Sequence, residues 1–136
     1  MKGIIKMTNL ESTNNSKVFN AEYESCPTIE GSEYFYIYMP KTKAEQMIKQ
    51  AGKDIENAKP YDYWENQSDI DEAKRQLAEI DTEYVLLTGN VGMSSTHVDT
   101  AFWGTTEEDL ETLVSYENDE DTANRLSLLA KAMKQN

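Results

Sequence analysis

The single histidine of the chain is the side chain best suited to acid–base chemistry near neutral pH. Ser95, His97 and Asp99 alternate along a predicted strand, which invites comparison with a Ser-His-Asp triad. Alternate side chains of one strand stand about 6–7 Å apart and parallel, whereas a triad needs groups that converge within hydrogen-bond reach. The pattern therefore predicts a solvated strand face, and we expect no catalytic residues.

A glycine-containing segment, 89–95, is the second candidate for chemistry. It lacks the Gly-Lys-Ser/Thr ending of a phosphate-binding loop, and a strand rather than a helix is predicted to follow it. A hairpin turn is the favoured interpretation. A calcium loop that began at segment 118–121 would need a glycine at its sixth position and a glutamate at its twelfth, and the sequence has neither. A single cysteine gives no zinc-binding pattern. No metal or cofactor is expected; region 89–99 stays open as an alternative site for a small ligand or a minor enzyme activity.

The distribution of charge is the most distinctive feature of the sequence. The formal net charge is −12, and no Lys or Arg occurs between Arg75 and Arg125. Twelve of the 25 acidic residues lie in that interval, which leaves thirteen acids against thirteen bases elsewhere. Eight acids on two predicted helices are the candidate partner-binding residues: Glu107, Glu108, Asp109, Glu111, Glu117, Asp119, Glu120 and Asp121.

Such a cluster has a physical consequence for partner choice. Carboxylates about 5–6 Å apart on a helix approach the spacing of nucleic-acid phosphates, so an acidic face fits a groove built for DNA or RNA. This predicts an inhibitor that blocks a basic, nucleic-acid-handling protein such as a nuclease. Small phage or plasmid proteins of the anti-CRISPR, antirestriction or nuclease-immunity type are similar to this chain in size and charge. Direct binding to nucleic acid or to an anionic membrane is disfavoured.

A different origin of the acids stays open. Acidic residues are favoured in the first turns of helices by the macrodipole, and an ordinary acidic surface also keeps a protein soluble. Helix capping does not account for the missing interleaved lysines.

Aromatic residues offer a second set of partner anchors. Tyr61, Tyr63 and Trp64 lie in a predicted loop among acids, where they are suited to contact Arg or Lys on a partner or else to be buried. A separate row of tyrosines, Tyr34, Tyr36 and Tyr38, shares one face of a predicted strand. We expect a helix to cover that row.

Hydrophobic periodicity predicts the order ββααββαα. Strands are predicted over 17–25, 34–39, 83–88 and 96–103. Helix starts are predicted from the cap residues Thr42, Ser68 and Thr105, each followed by an acid three residues later, with a fourth helix opening at 118–121. The fold class is α+β: a mostly antiparallel four-stranded sheet with helices on one face. An internal ββαα duplication stays open as an alternative.

The domain organisation is simple. Residues 1–16 are polar without an apolar period and predict a flexible N-terminal arm, followed by a single domain over 17–136. The chain shows no apolar run of the length that secretion or membrane insertion requires, and it has one cysteine. We expect a cytoplasmic protein.

Overall fold

The computed structural model describes residues 21–23, 26–56, 64, 66–90 and 100–134. Its strands are β1 (Ala21–Tyr23), β2 (Cys26–Glu30), β3 (Tyr34–Pro40), β4 (Tyr84–Asn90) and β5 (Ala101–Gly104). Its helices are α1 (Lys41–Glu56), α2 (Gln67–Ala78), α3 (Glu107–Tyr116) and α4 (Glu120–Lys134). The predicted arm, Tyr61, Tyr63 and 91–99 lie outside these described residues.

The predicted order ββααββαα and the antiparallel sheet are confirmed, with one strand added. The described strands form a single sheet in the order β1-β2-β3-β4-β5, and all neighbours are antiparallel. The added strand is β2, which the sequence predicts as a turn because of Pro27. Pro27 pairs with Glu22 of β1, but the register with β3 begins only at Thr28. The missing N–H of proline therefore removes no hydrogen bond to β3.

The centre of the sheet is the pair β3 and β4. Ile37 lies opposite Leu87, and Tyr38 lies opposite Leu86. Because side chains alternate along a strand, the first pair points to one face of the sheet and the second to the other. All four side chains are buried. Both faces of the sheet therefore need a cover.

Two helix pairs supply that cover, one on each face. The sequence predicts all helices on one face, and here the structure differs. On the first face α1 and α2 pack over Ile37, Met39, Val85, Leu87 and Phe102. On the second face α3 and α4 pack over Ile29, Tyr36, Tyr38, Tyr84 and Leu86. The expected burial of the tyrosine row is confirmed, since Tyr36 and Tyr38 are buried and Tyr34 is partly buried.

The opposite faces also decide against an internal duplication. β2 and β4 run in the same direction, and their next strands, β3 and β5, lie on the same side of them in the sheet. The helices that follow β3 and the helices that follow β5 nevertheless lie on opposite faces of the sheet. The two ββαα halves thus have opposite handedness. No rotation superimposes them, so their shared order does not reflect one repeated unit.

The helix starts differ from the predicted ones by one or two residues. The N-cap of α2 is Asn66 rather than Ser68, and its side chain accepts a hydrogen bond from the Asp69 N–H (3.0 Å). α1 begins at Lys41, directly after β3, rather than being capped by Thr42.

The start of α3 is displaced for a clear reason. Its N-cap is Thr106, which accepts a hydrogen bond from the Asp109 N–H (3.1 Å). Thr105, the predicted cap, is buried and donates its hydroxyl to the Tyr84 carbonyl oxygen (2.9 Å). That bond holds the chain on β4 before the helix begins.

Two glycines give a matched test of this packing. A Cβ at Gly31 would collide with the side chain of the buried Thr122 on α4, whereas a Cβ at Gly52 would meet nothing within 4 Å. We expect Gly31→Ala to lower the free energy of unfolding by about 1–3 kcal/mol, through overpacking. Gly52→Ala, inside α1, should raise it by about 0.5–1 kcal/mol. Urea unfolding followed by circular dichroism measures both; equal stabilities would contradict the contact between α4 and the β2–β3 turn.

Candidate acidic binding site

The predicted acidic face is divided into two ends by the α3–α4 hairpin. A three-residue connection joins the two helices, which pack closely along their lengths and so run antiparallel. Glu107, Glu108 and Asp109 lie in the first turn of α3, and Glu120 and Asp121 in that of α4. Ten residues of helix span about 15 Å, so these first turns lie at opposite ends of the hairpin. The eight acids do not form one continuous face.

Two acids at the α4 end serve the fold. The Tyr36 hydroxyl donates to Oε2 of Glu117 (2.5 Å), while Oε1 of Glu117 accepts from the Asp119 N–H (3.0 Å). The carboxylate of Asp119 accepts from the Thr122 hydroxyl. This bond, supported by backbone hydrogen bonds, holds the pKa of Asp119 below its usual value. Glu117 and Asp119 therefore fasten the α3–α4 connection to the sheet.

The remaining acids at this end are exposed. Asp121 forms an ion pair with Arg125 one turn later in α4 (3.1 Å), so part of its charge is neutralised within the helix. Glu120 is exposed. The α4 end of the hairpin therefore presents less negative charge to a partner than its four acids suggest.

At the α3 end the structure forms an acidic cleft that the sequence does not reveal. It has a volume of about 410 Å³ and lies between the end of α2, the edge of β5 and the start of α3. Three carboxylates line it: Glu79, Asp81 and Asp109. The other lining residues are Gln76, Ile80, Thr82, Phe102, Trp103, Gly104 and Thr106, and this lining includes no Lys or Arg.

The position of Asp109 in the cleft depends on Gly104. A Cβ at Gly104 would lie 2.6 Å from Oδ2 of Asp109 and 3.3 Å from the hydroxyl oxygen of Thr82. The glycine therefore lets the carboxylate approach the end of β5. Together with the cap at Thr106, this contact sets where the half-buried Asp109 points its charge.

Side chains of neighbouring elements accept hydrogen bonds from backbone N–H groups at the floor of the cleft. The Phe102 N–H donates to Oε1 of Gln76 on α2 (2.9 Å), and the Thr105 N–H donates to the hydroxyl of Thr82 (3.2 Å). The first of these bonds occupies a donor on the outer side of β5 that an added strand would otherwise use. Recognition in the cleft therefore falls to its side chains.

One lysine reaches the same end of the molecule. The ammonium of Lys41 donates to the Ile80 carbonyl oxygen (2.6 Å), and its side chain is not part of the cleft lining. It stabilises the exposed carbonyl end of α2, as a cation at a helix C-terminus does.

Of the predicted aromatic anchors, the structure describes Trp64, and it corrects that prediction. Trp64 is 2% exposed and stacks on Phe102 in the core beneath α1 and α2, with ring centroids 6.0 Å apart. It is not available to a partner. The aromatic side chain at the acidic site is instead Trp103, which is half-buried and lines the cleft. Alternation with the inward Phe102 is the signal that could have identified it.

Comparisons with known proteins give no family for this chain. No protein-family model, curated protein or solved structure matches it.

The described residues show neither a metal-binding cluster nor a membrane-spanning helix. Among the described residues, no group of three or more His, Cys, Asp or Glu side chains could hold a metal ion, the cleft carboxylates included. Within the same ranges, none of the helices combines the length and apolar character needed to cross a membrane.

The Tyr36–Glu117 contact predicts a loss of stability at alkaline pH. Burial, and then the hydrogen bond to Glu117, raise the pKa of Tyr36 well above its ordinary value of 10.0. Burial raises the pKa of Tyr38 as well. Above pH about 10 the unfolded chain releases these protons and the folded protein keeps them, so the free energy of unfolding falls, by up to ~1.4 kcal/mol per pH unit for each tyrosine.

Urea unfolding between about pH 9 and about pH 11 measures this slope. Tyr36→Phe should lower stability by about 1–2 kcal/mol near neutral pH, because it removes a hydrogen bond to a charged group. It should also reduce the alkaline slope. An unchanged slope would show that Tyr36 ionises equally in both states.

Proposed function

We propose that this protein is an acidic inhibitor that binds a basic, nucleic-acid-handling partner, such as a nuclease, and competes there with nucleic acid. The observation that supports it is the acidic cleft, which three carboxylates and an indole line together with no Lys or Arg in the lining. Glu107 and Glu108, on the first turn of α3 next to the cleft, extend the negative surface. Glu117 and Asp119 are excluded from this proposal because they are used within the fold.

The cleft has the chemistry to hold an arginine or lysine side chain. Carboxylates from two elements, Glu79 and Asp81 after α2 and Asp109 on α3, border the same space. A guanidinium pairs with a carboxylate through two parallel hydrogen bonds, and its flat face stacks on an indole such as that of Trp103. A basic groove that ordinarily holds phosphates carries such side chains.

The net charge of the whole chain assists the encounter. At −12, the protein attracts a basic surface over a distance set by salt, about 8 Å at physiological ionic strength. Binding should therefore weaken as salt rises. A partner whose nucleic-acid groove is occupied in this way would be blocked, so the proposed inhibitor is of the nucleic-acid-mimicking anti-CRISPR, antirestriction or nuclease-immunity type. The cytoplasm, a reducing compartment that suits a chain with a single cysteine, is the proposed compartment.

The alternative site, a small-ligand pocket at 89–99, has less support. Gly89 and Asn90 are the described residues of that segment, and both belong to β4, where they pair with Phe35 and Tyr34. They contribute to the sheet and not to a loop around a ligand.

A pair of charge reversals tests the cleft. Glu79→Lys with Asp81→Lys should weaken partner binding by at least about tenfold, because the partner's cation then meets ammonium groups. The matched control, Glu45→Lys with Glu56→Lys, changes the net charge equally at two exposed positions of α1 and should change affinity far less. The partner is captured from host lysate on the immobilised wild-type protein, identified, and titrated with each variant at two salt concentrations.

Three results bear on the proposal. Displacement of the protein from its partner by duplex DNA or RNA, together with loss of binding in the cleft variant, supports it. Equal loss in both variants would mean that only overall charge matters. Recovery of no basic partner, or full binding by the cleft variant, would overturn it.

A further inference from the structure

A second depression lies on the outer side of the α3–α4 hairpin. This α3–α4 groove has a volume of about 320 Å³ and is lined by Glu107, Glu111 and Val114 of α3 and by Ser127, Ala130 and Lys131 of α4. Its floor is apolar, because Val114 and Ala130 are only partly buried where they pack on the core. On the same hairpin, Leu128 and Tyr116 are the large hydrophobic residues that stand exposed among the described ones, at 38% and 69%.

The charges of the groove are arranged in a self-complementary way. The acids Glu107 and Glu111 stand on the α3 wall, and Lys131 stands on the α4 wall. A two-fold axis through the groove would place α3 of one copy beside α4 of a second copy. Glu111 of each copy would then face Lys131 of the other, so that both ion pairs form at once. A wholly basic partner would instead meet Lys131 as a like charge.

We propose that the α3–α4 groove is a self-association surface, occupied by the same groove of a second copy of this chain. The small side chains Ser127 and Ala130 allow helices to approach to the usual 8–10 Å between axes, where Val114 and Ala130 become covered. Association works against the repulsion of two highly negative chains, but salt near 0.15 M confines that repulsion to about 8 Å. The groove shares Glu107 with the negative surface beside the cleft. The cleft carboxylates Glu79, Asp81 and Asp109 lie outside it, so variants at Glu111 and Lys131 leave the cleft itself unchanged.

Charge exchange between the two walls is the test. Glu111→Lys and Lys131→Glu, both at exposed positions, are prepared separately and together, and association is measured by sedimentation equilibrium in 0.15 M salt. The wild-type protein should form dimers. Each single variant should associate at least about tenfold more weakly, because both pairs become like charges. An equimolar mixture of the two single variants should restore dimers, since each lysine then faces a glutamate, and the double variant should dimerise alone.

The mixture also serves as the folding control, because a misfolded variant would not be rescued by its counterpart. A wild-type protein that stays monomeric as its concentration is raised would overturn the proposal. Dimers that persist in both single variants would overturn it as well, since they would have to use another surface. Neither result would affect capture of a basic partner by the cleft.

Discussion

The pairing of β3 with β4 is the constraint on which the rest of the structure depends. Seven residues of β3 pair with seven of β4, and large apolar side chains project from both faces of this pair. On one face Ile37 and Leu87 must be covered, and on the other Tyr38 and Leu86. A strand pair of this kind is stable in water only between two covering layers. If either face were exposed, the stabilisation from burying several large side chains would be lost. The two helix pairs satisfy that requirement.

This layered arrangement also produces the acidic cleft. α2 comes from one face of the sheet and α3 from the other, and both approach the edge strand β5. Glu79 and Asp81, which follow α2, therefore come to border the same space as Asp109, nearly thirty positions later. No spacing rule within a single helix or strand brings these carboxylates together. The site is a product of topology rather than of a local motif.

Local patterns in the sequence predict the elements well, and their failures share a cause. The stripe Ile70, Ala73 and Leu77 is buried as its helical spacing predicts. Tertiary contacts decide what the patterns leave open. Thr105 bonds to β4 instead of capping α3, and Trp64, which lies outside the helices and strands, is buried in the core instead of facing a partner. The sequence could have predicted helices on both faces of the sheet, because β3 alternates tyrosines with Ile37 and Met39 and so carries large side chains on each face. That alternation does not say which helices cover which face.

The separation of the acids into two groups shows why a count of charges does not locate a binding surface. Asp119, just before α4, and Asp109, in the first turn of α3, both lie near the start of a helix, but their neighbours differ. Asp119 lies next to the hydroxyl of Thr122, which satisfies its carboxylate within the fold. Asp109 packs against Gly104, whose missing side chain lets the carboxylate approach β5, and there its charge borders an open cleft. An acid with a neighbouring hydrogen-bond donor supports the fold, and an acid that borders an open cleft can contact a partner.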